Sequence, residues 1–320
     1  MKKLLAVAVT LLSFTMWVQG QAGKGLAWAY PTPDPTTAAA ADATPKKLAG
    51  SSKSYTQAQI DDQFNPPDWF PNEHAPLPSV VQKGIQAQAC GSCHLMSGMG
   101  HPESATLAGL PAAYLLRQMQ DFKAGLRKDA KGYEPSQRAG RMNAIASGLS
   151  EDDMRTAAGF FAAMKPEVWY KVTEADTVPK TWVNGGRMRF AIAGAGAGTE
   201  PLGNRIITLP QDPARVESRD PHSGFIAYVP KGSVKRGEAL VNTGAGKTTA
   251  CAVCHGDGLK GLGDIPRVAG IHPIYVMRQL YNFQTGANTS SAAAQMKKVT
   301  EKLTEEDMVD IAAYAATLAP

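Results

Sequence analysis

Cysteine is scarce in this chain, four residues in 320, and no cysteine stands outside two short motifs. A set so sparse and even leaves two disulfides, a metal site or covalent cofactor attachment, and spacing has to decide among them. A large excess of one charge is also missing. The 33 Lys and Arg residues face 28 Asp and Glu, a formal +5, and Lys2, Lys3 and Lys24 fall in a segment expected to be removed. Without those three the two signs nearly balance, which excludes the strongly basic footprint of a nucleic-acid-binding protein. Long hydrophobic runs are absent too. The apolar run over residues 4–18 is fifteen residues, short of the roughly 20 that a membrane-spanning helix needs. Preceded by Met1-Lys2-Lys3 and followed by small residues at Gly20, Ala22 and Ala27-Trp28-Ala29, it reads as a secretory signal peptide. Cleavage near Ala29 is favoured over a site near Gly20 and over an uncleaved anchor, so 1–29 is assigned to the signal and the mature chain to the periplasm.

What is present is repetition. With 43% hydrophobic residues the chain has room for about two domains, and residues 84–164 match residues 237–320. The first copy carries Cys90-Gly91-Ser92-Cys93-His94 and the second Cys251-Ala252-Val253-Cys254-His255. At a constant offset of 161, Ala108-Gly109 pairs with Ala269-Gly270, Tyr114 with Tyr275, Gln118 with Gln279, Phe122 with Phe283 and Gly125 with Gly286. Seven residues are then lost from the second copy, and the pairing resumes as Met142 with Met296, Leu149 with Leu303 and Asp153 with Asp307. These are two copies of one small domain.

Each copy reads as mainly helical. Pro111 or Pro273 starts a middle helix whose apolar face carries Leu115, Met119 and Phe122, or Val276, Leu280 and Phe283, and Gly125 or Gly286 ends it. Ser150 and Thr304, each with an acid three residues on, cap a terminal helix. Outside the copies, residues 30–83 and 165–236 hold 16 of the 22 prolines, so neither is mostly helix. Residues 31–58 read as a flexible tether. The stretch 66–78, with Trp69 and Phe70, is expected to pack along a domain surface. The insertion 165–236 is too long for an unstructured loop and carries β-like runs at 205–209 and 225–229. Its Gly194-Ala195-Gly196-Ala197-Gly198 run lacks the strand and helix that frame a phosphate-binding loop, and reads as a turn.

In Cys-x-x-Cys-His, sulfurs at i and i+3 share one face of a helical turn and the imidazole at i+4 stands beside them. That arrangement fits c-type haem, with two thioethers and an iron ligand from one side. A thioredoxin-like pair has no need of the histidine. A zinc site would need ligands from motifs far apart, and paired disulfides would ignore the repetition. Opposite the histidine, a neutral thioether favours ferrous iron and closes the site, giving an electron carrier. Met142 and Met296 are the candidates, because each lies in a polar, loop-like stretch at a matched position that can fold back over the haem. Met119, Met154, Met164, Met277 and Met308 fall on helix patterns and read as core, while Met96 and Met99 follow His94 too closely to cross the ring. His74, His101, His222 and His272 have no repeat partners and read as surface or hydrogen-bonding residues, with His101 the one to watch.

These residues resemble a di-haem cytochrome c of the cytochrome c4 type, two class I cytochrome c domains in tandem. The resemblance implies an all-α fold whose two domains are joined here by a long irregular, partly β, proline-rich insertion. It implies two covalently attached haems with iron, linked at Cys90, Cys93, Cys251 and Cys254. Proximal His94 and His255 and distal Met142 and Met296 are implied as ligands. Gly84 and Gly237 are expected to let each unit's first helix cross its last near Phe160 and Tyr314. A proline carbonyl orients the proximal histidine in that family. Pro266 suits the second unit, and Ala105 stands at the matching place in the first. The expected role is a periplasmic carrier that moves electrons one at a time between a dehydrogenase or quinol-oxidising complex and a terminal acceptor. Redox proteins such as a dehydrogenase, a cytochrome bc complex or an oxidase are the expected partners. Neither nucleic acid nor a small-molecule substrate is expected, and peripheral membrane association is compatible with the sequence. Two alternatives carry different partners or chemistry. One is a cytochrome subunit of a dehydrogenase complex that docks through 165–236, and the other is a di-haem peroxidase with an open axial site, for which His101 marks the first unit.

Overall fold

The computed structural model describes residues 25–35, 43–84 and 88–320. The basic and apolar parts of the expected signal and residues 36–42 of the expected tether lie outside them. No helix among the described residues is long and apolar enough to cross a membrane.

Both copies place the same helices in the same order. The first has Ser79–Gln82, an attachment turn Gly91–His94, a middle helix Ala112–Lys123, then Arg138–Ser147 and a terminal helix Glu151–Ala163. The second has Ser233–Thr243, Ala252–His255, Pro273–Thr285, Ala293–Thr300 and Glu305–Thr317. Pro273 occupies the first turn of its helix, where its missing N–H is no loss, and Gly286 ends that helix at φ 73°, a conformation open to glycine at little cost. Both terminal helices start in a reciprocal cap. Ser150 Oγ and Thr304 Oγ1 each accept from the N–H of the acid three residues on, whose carboxylate accepts in return from the cap's own N–H. Each cap satisfies two end groups that would otherwise lack partners.

The expected glycine crossings split between the units. At Gly237 a Cβ would lie 2.9 Å from Tyr314 Cβ and would clash with the Asp310 carbonyl, so only glycine lets the first and last helices of the second unit touch. Gly84 has no such role. The first helix of that unit ends at Gln82, and by the 161-residue offset the counterpart of Gly237 is Pro76. Proline cannot sit inside a helix without breaking it, so this unit keeps only the last turn. The His74 ring stands edge-on to Phe160 where the crossing would have been.

The insertion folds onto the second unit and shares its core. A three-stranded sheet has Phe225–Val229 in the centre, parallel to Tyr170–Glu174 and antiparallel to Ile207–Pro210. Trp169, Tyr170, Phe225 and Val229 join one buried cluster with Leu240, Ile274, Met308 and Ile311 of the second unit and Met99 of the first. The first unit keeps a smaller core of its own around Leu115, Met154 and Phe161. The glycine run forms a short exposed turn at Gly194–Gly196. Trp69 is buried and donates from Nε1 to the Ser218 carbonyl at 2.7 Å, so the 66–78 stretch packs against the insertion. The described parts of the expected tether are held as well. Val183 N–H donates to the Asp34 carboxylate at 2.8 Å, and Lys46 pairs with Tyr55.

Signal cleavage after Ala29 conflicts with this packing. Leu26, Trp28, Ala29 and Tyr30 are all buried in the shared core. Arg278 donates to the Ala29 carbonyl at 2.9 Å, and Tyr30 Oη donates to Asn282 at 2.8 Å. A cut at Ala29 would remove Leu26 and Trp28 from a filled interior, at a cost of about 2–5 kcal/mol for each such truncation. Processing nearer Gly20 would keep these contacts, and on that reading intact-mass measurement of the mature protein should give a chain that retains Leu26. A mature terminus at Tyr30 would refute this placement.

Candidate haem-binding site

One cavity of about 1050 Å³ runs through both units, larger than the roughly 300–1,000 Å³ of a usual single-ligand pocket. Cys90, Cys93, His94 and Met142 line one end, and Cys251, Cys254, His255 and Met296 line the other. In both attachment turns the histidine N–H donates to the carbonyl of the first cysteine, at 3.0 Å in the first unit and 2.9 Å in the second. This holds the sulfurs and the imidazole on one turn. His94 Nδ1 donates to the Ala105 carbonyl and His255 Nδ1 to the Pro266 carbonyl, both at 2.8 Å. A carbonyl can only accept, so Nδ1 carries the proton and Nε2 keeps the lone pair that a metal needs. Alanine supplies in the first unit the same backbone carbonyl that proline supplies in the second. Burial lowers the pKa of both histidines against the opposing effect of these bonds, which favours the neutral, ligating ring.

The cysteines do not suit the competing chemistries. All four are free thiols, and burial pushes Cys90 up to about 12 and Cys251 up to about 11. A thiolate-based redox pair needs the opposite shift. No group of three or more His, Cys, Asp or Glu among the described residues could hold a metal ion, so a zinc site has no ligand set.

Met142 and Met296 sit on helices, not on the loops expected. Arg138–Ser147 and Ala293–Thr300 are both rich in Ala with Arg, Met or Lys, strong helix formers, and each packs on its middle helix. Met142 and Ile145 share one face into the cavity, as do Met296 and Val299. Met154, Met277 and Met308 are buried in the cores. Met96 and Met99 are buried as well, and Met99 Sδ lies 3.4 Å from the Glu167 backbone nitrogen. His74 and His222 pair with Asp68 and Glu73. His101 follows Gly100, whose N–H donates to the His94 carbonyl at 2.8 Å, so it lies beside the proximal histidine.

Two parts of the site carry no motif. At the junction of the units, Lys128 N–H donates to the Ala287 carbonyl at 3.0 Å and Thr289 N–H to the Leu126 carbonyl at 2.8 Å. These residues are repeat partners, so the junction has a local two-fold axis. Arg127 lies on it, buried, donating to Gln118 and Gln279 at 2.7 and 2.8 Å with its guanidinium 4.2 Å above the Phe122 ring. Arg267 is also buried, with Nε unpartnered, and like Arg127 it has no carboxylate within 4 Å among the described residues. Buried cations facing a cavity without a counter-charge fit a bound anionic group, and the propionates of a bound haem would supply that charge. The signal in the sequence was the Arg127 to Asn288 register, which the 161-residue offset already contained.

The second part is a buried knot joining both units to the insertion. His272, fully buried, bonds Tyr170 Oη at 2.7 Å and the Met99 carbonyl at 2.9 Å. Beside it, Glu103 accepts from Arg138 at 2.9 Å and Arg278 at 3.1 Å. Burial lowers the His272 pKa from 6.5 to about 3. Below pH 6.5 the unfolded chain takes up a proton that the folded chain refuses until about pH 3, so this contribution to stability is lost as pH falls through that window. Denaturant midpoints measured against pH should fall across it, and His272→Gln should flatten that part of the slope. An equal slope in the variant would remove His272 as its source.

The Cytochrome c family model matches residues 81–165 and 234–319, together more than half of the chain. Cytochrome c4 from Azotobacter vinelandii is 27% identical over 247 residues, 75% of this chain and 89% of that protein. The thiosulfate dehydrogenase electron acceptor of Thiomonas intermedia (strain K12) is 23% identical, covering 72% of this chain and 79% of its own. A crystal structure of reduced cytochrome c4 from Pseudomonas stutzeri aligns with 72% of this chain and 93% of its own at 24% identity, with a TM-score of 0.46. The chain belongs to the cytochrome c family. Within it, the paired units and paired attachment motifs make a di-haem, cytochrome c4-like electron carrier with two covalently bound c-type haems.

Proposed function

We propose that this chain is the electron acceptor of a periplasmic dehydrogenase, with a thiosulfate-oxidising enzyme as its donor. One observation carries this reading. Two relatives that share about 72% of the chain, from Thiomonas intermedia and Stutzerimonas stutzeri, bear the name thiosulfate dehydrogenase electron acceptor. The bound haems supply reversible one-electron chemistry at iron, and this chain's residues hold and orient them. Thioether links at Cys90, Cys93, Cys251 and Cys254 anchor the groups. His94 and His255 would supply one iron ligand each through Nε2, and Met142 and Met296, which line the same cavity, would supply the other. Purified thiosulfate dehydrogenase with thiosulfate should reduce the haem absorption bands of this protein far faster than thiosulfate alone. The similarity to cytochrome c4 favours a second reading, a free carrier between a quinol-oxidising cytochrome bc complex and an oxidase. Reduction by that complex and not by the dehydrogenase would establish it.

Replacing Met142 or Met296 with Ala should remove a ligand that favours ferrous iron. Each change should lower one of the two midpoint potentials in a potentiometric titration and open that haem to added imidazole. An unchanged titration curve would send the sixth-ligand assignment elsewhere.

A further inference from the structure

The two haem ends differ in what covers them, and the insertion makes the difference. Around the first attachment turn, Ser92 is 2% exposed. Its carbonyl accepts from the Arg219 guanidinium, which reaches across from the insertion. The turn over residues 184–188, between paired strands Thr181–Val183 and Arg189–Ala191, lines the same end of the cavity. Its Arg187 and the incoming Arg219 both lie near Cys93. Both hold left-handed backbone, at φ 66° and 56°, a conformation that a non-glycine residue keeps where surrounding structure imposes it.

The second end has no cover. Val253, the repeat partner of Ser92, is 67% exposed, and Cys254 is exposed beside it. Leu262 and Ile265, partners of His101 and Ser104, are exposed too. Three of the six exposed large apolar residues among those described therefore gather at one haem end. An apolar cluster of this kind marks a contact surface. With the sulfurs bonded to the haem periphery, the exposed Cys254 would leave its haem edge open, whereas Cys93 is half-buried next to the buried Ser92 and would leave less of its edge open.

We propose that the insertion seals the thioether edge of the first haem, and that electrons enter and leave this protein at the second, through the rim formed by Val253, Leu262 and Ile265. This rests on the electron-carrier reading. The occupant of the rim is a redox protein whose own cofactor edge is ringed by apolar side chains. With both haems bound, an electron from that donor would reduce the second iron from ferric to ferrous, and its onward transfer past the Arg127 junction to the first iron would return the second to ferric.

The test is flash reduction of the full holoprotein by neutral lumiflavin semiquinone, a one-electron donor that senses access rather than charge. The native protein should show one phase whose rate rises with reductant, followed by one that is independent of it. Val253→Trp should slow the first phase several-fold. Arg187→Ala with Arg219→Ala should add a second concentration-dependent phase. Since nearby cations disfavour the ferric form, that double change should also lower the first haem's midpoint potential and leave the second unchanged. Two concentration-dependent phases in the native protein, or a Val253→Trp variant as fast as the native one, would overturn the sealed-edge proposal alone. Failure of both haems to accept an electron would instead overturn the carrier reading beneath it.

Discussion

The pairing of residues 126–128 with 287–289 sets the position of both haem ends. Two backbone hydrogen bonds between repeat partners create a local two-fold axis, and the middle helices that precede these segments are placed symmetrically about it. Tyr114 and Gln118 are thereby brought opposite Tyr275 and Gln279 along one cavity. A contact between identical positions is self-complementary, so one surface serves both sides. Arg127 breaks the symmetry, since its partner is Asn288. A single buried cation on the axis meets the acceptors of both units, where two would repel each other at close range.

Around that junction the chain is held together more by its additions than by its repeats. An isolated unit of about 80 residues has a marginal core, and the first unit has lost most of its opening helix to Pro76. The N-terminal segment and the insertion fill the deficit. Trp69 reaches Ser218, Tyr170 reaches His272, and Arg278 ties Glu103 to Ala29. Each of these bonds joins parts of the chain that a two-domain picture would keep separate.

Much of the centre was legible beforehand because periodicity and spacing are local. The attachment motifs, the proline and glycine ends of the middle helices and the Ser150 and Thr304 caps each depend on residues within a turn or two. The Met helices were read as loops because the stretches around Met142 and Met296 are polar, whereas packing on the middle helix makes both helical. Gly84 was matched to Gly237 by residue type although the offset pairs Gly237 with Pro76. The signal boundary read at Ala29 meets a contact that the sequence could not report. Ala27-Trp28-Ala29 has the small-x-small form of a cleavage site, but its burial depends on Arg278 and Asn282, which lie about 250 positions away. Nothing local to residues 25–30 reports such a contact.

That last contact also orders events in time. A segment made early is seated against a helix made near the end, across sequence separations of 249 and 252 residues. Closing so distant a contact is slow, and it cannot begin before its far side exists. Until Pro273–Thr285 has formed, residues 26–30 have no groove to enter, and the neighbouring edge of the cavity stays unlatched. That edge of the second unit's cavity is thus closed late, by a latch made from residues 26–30.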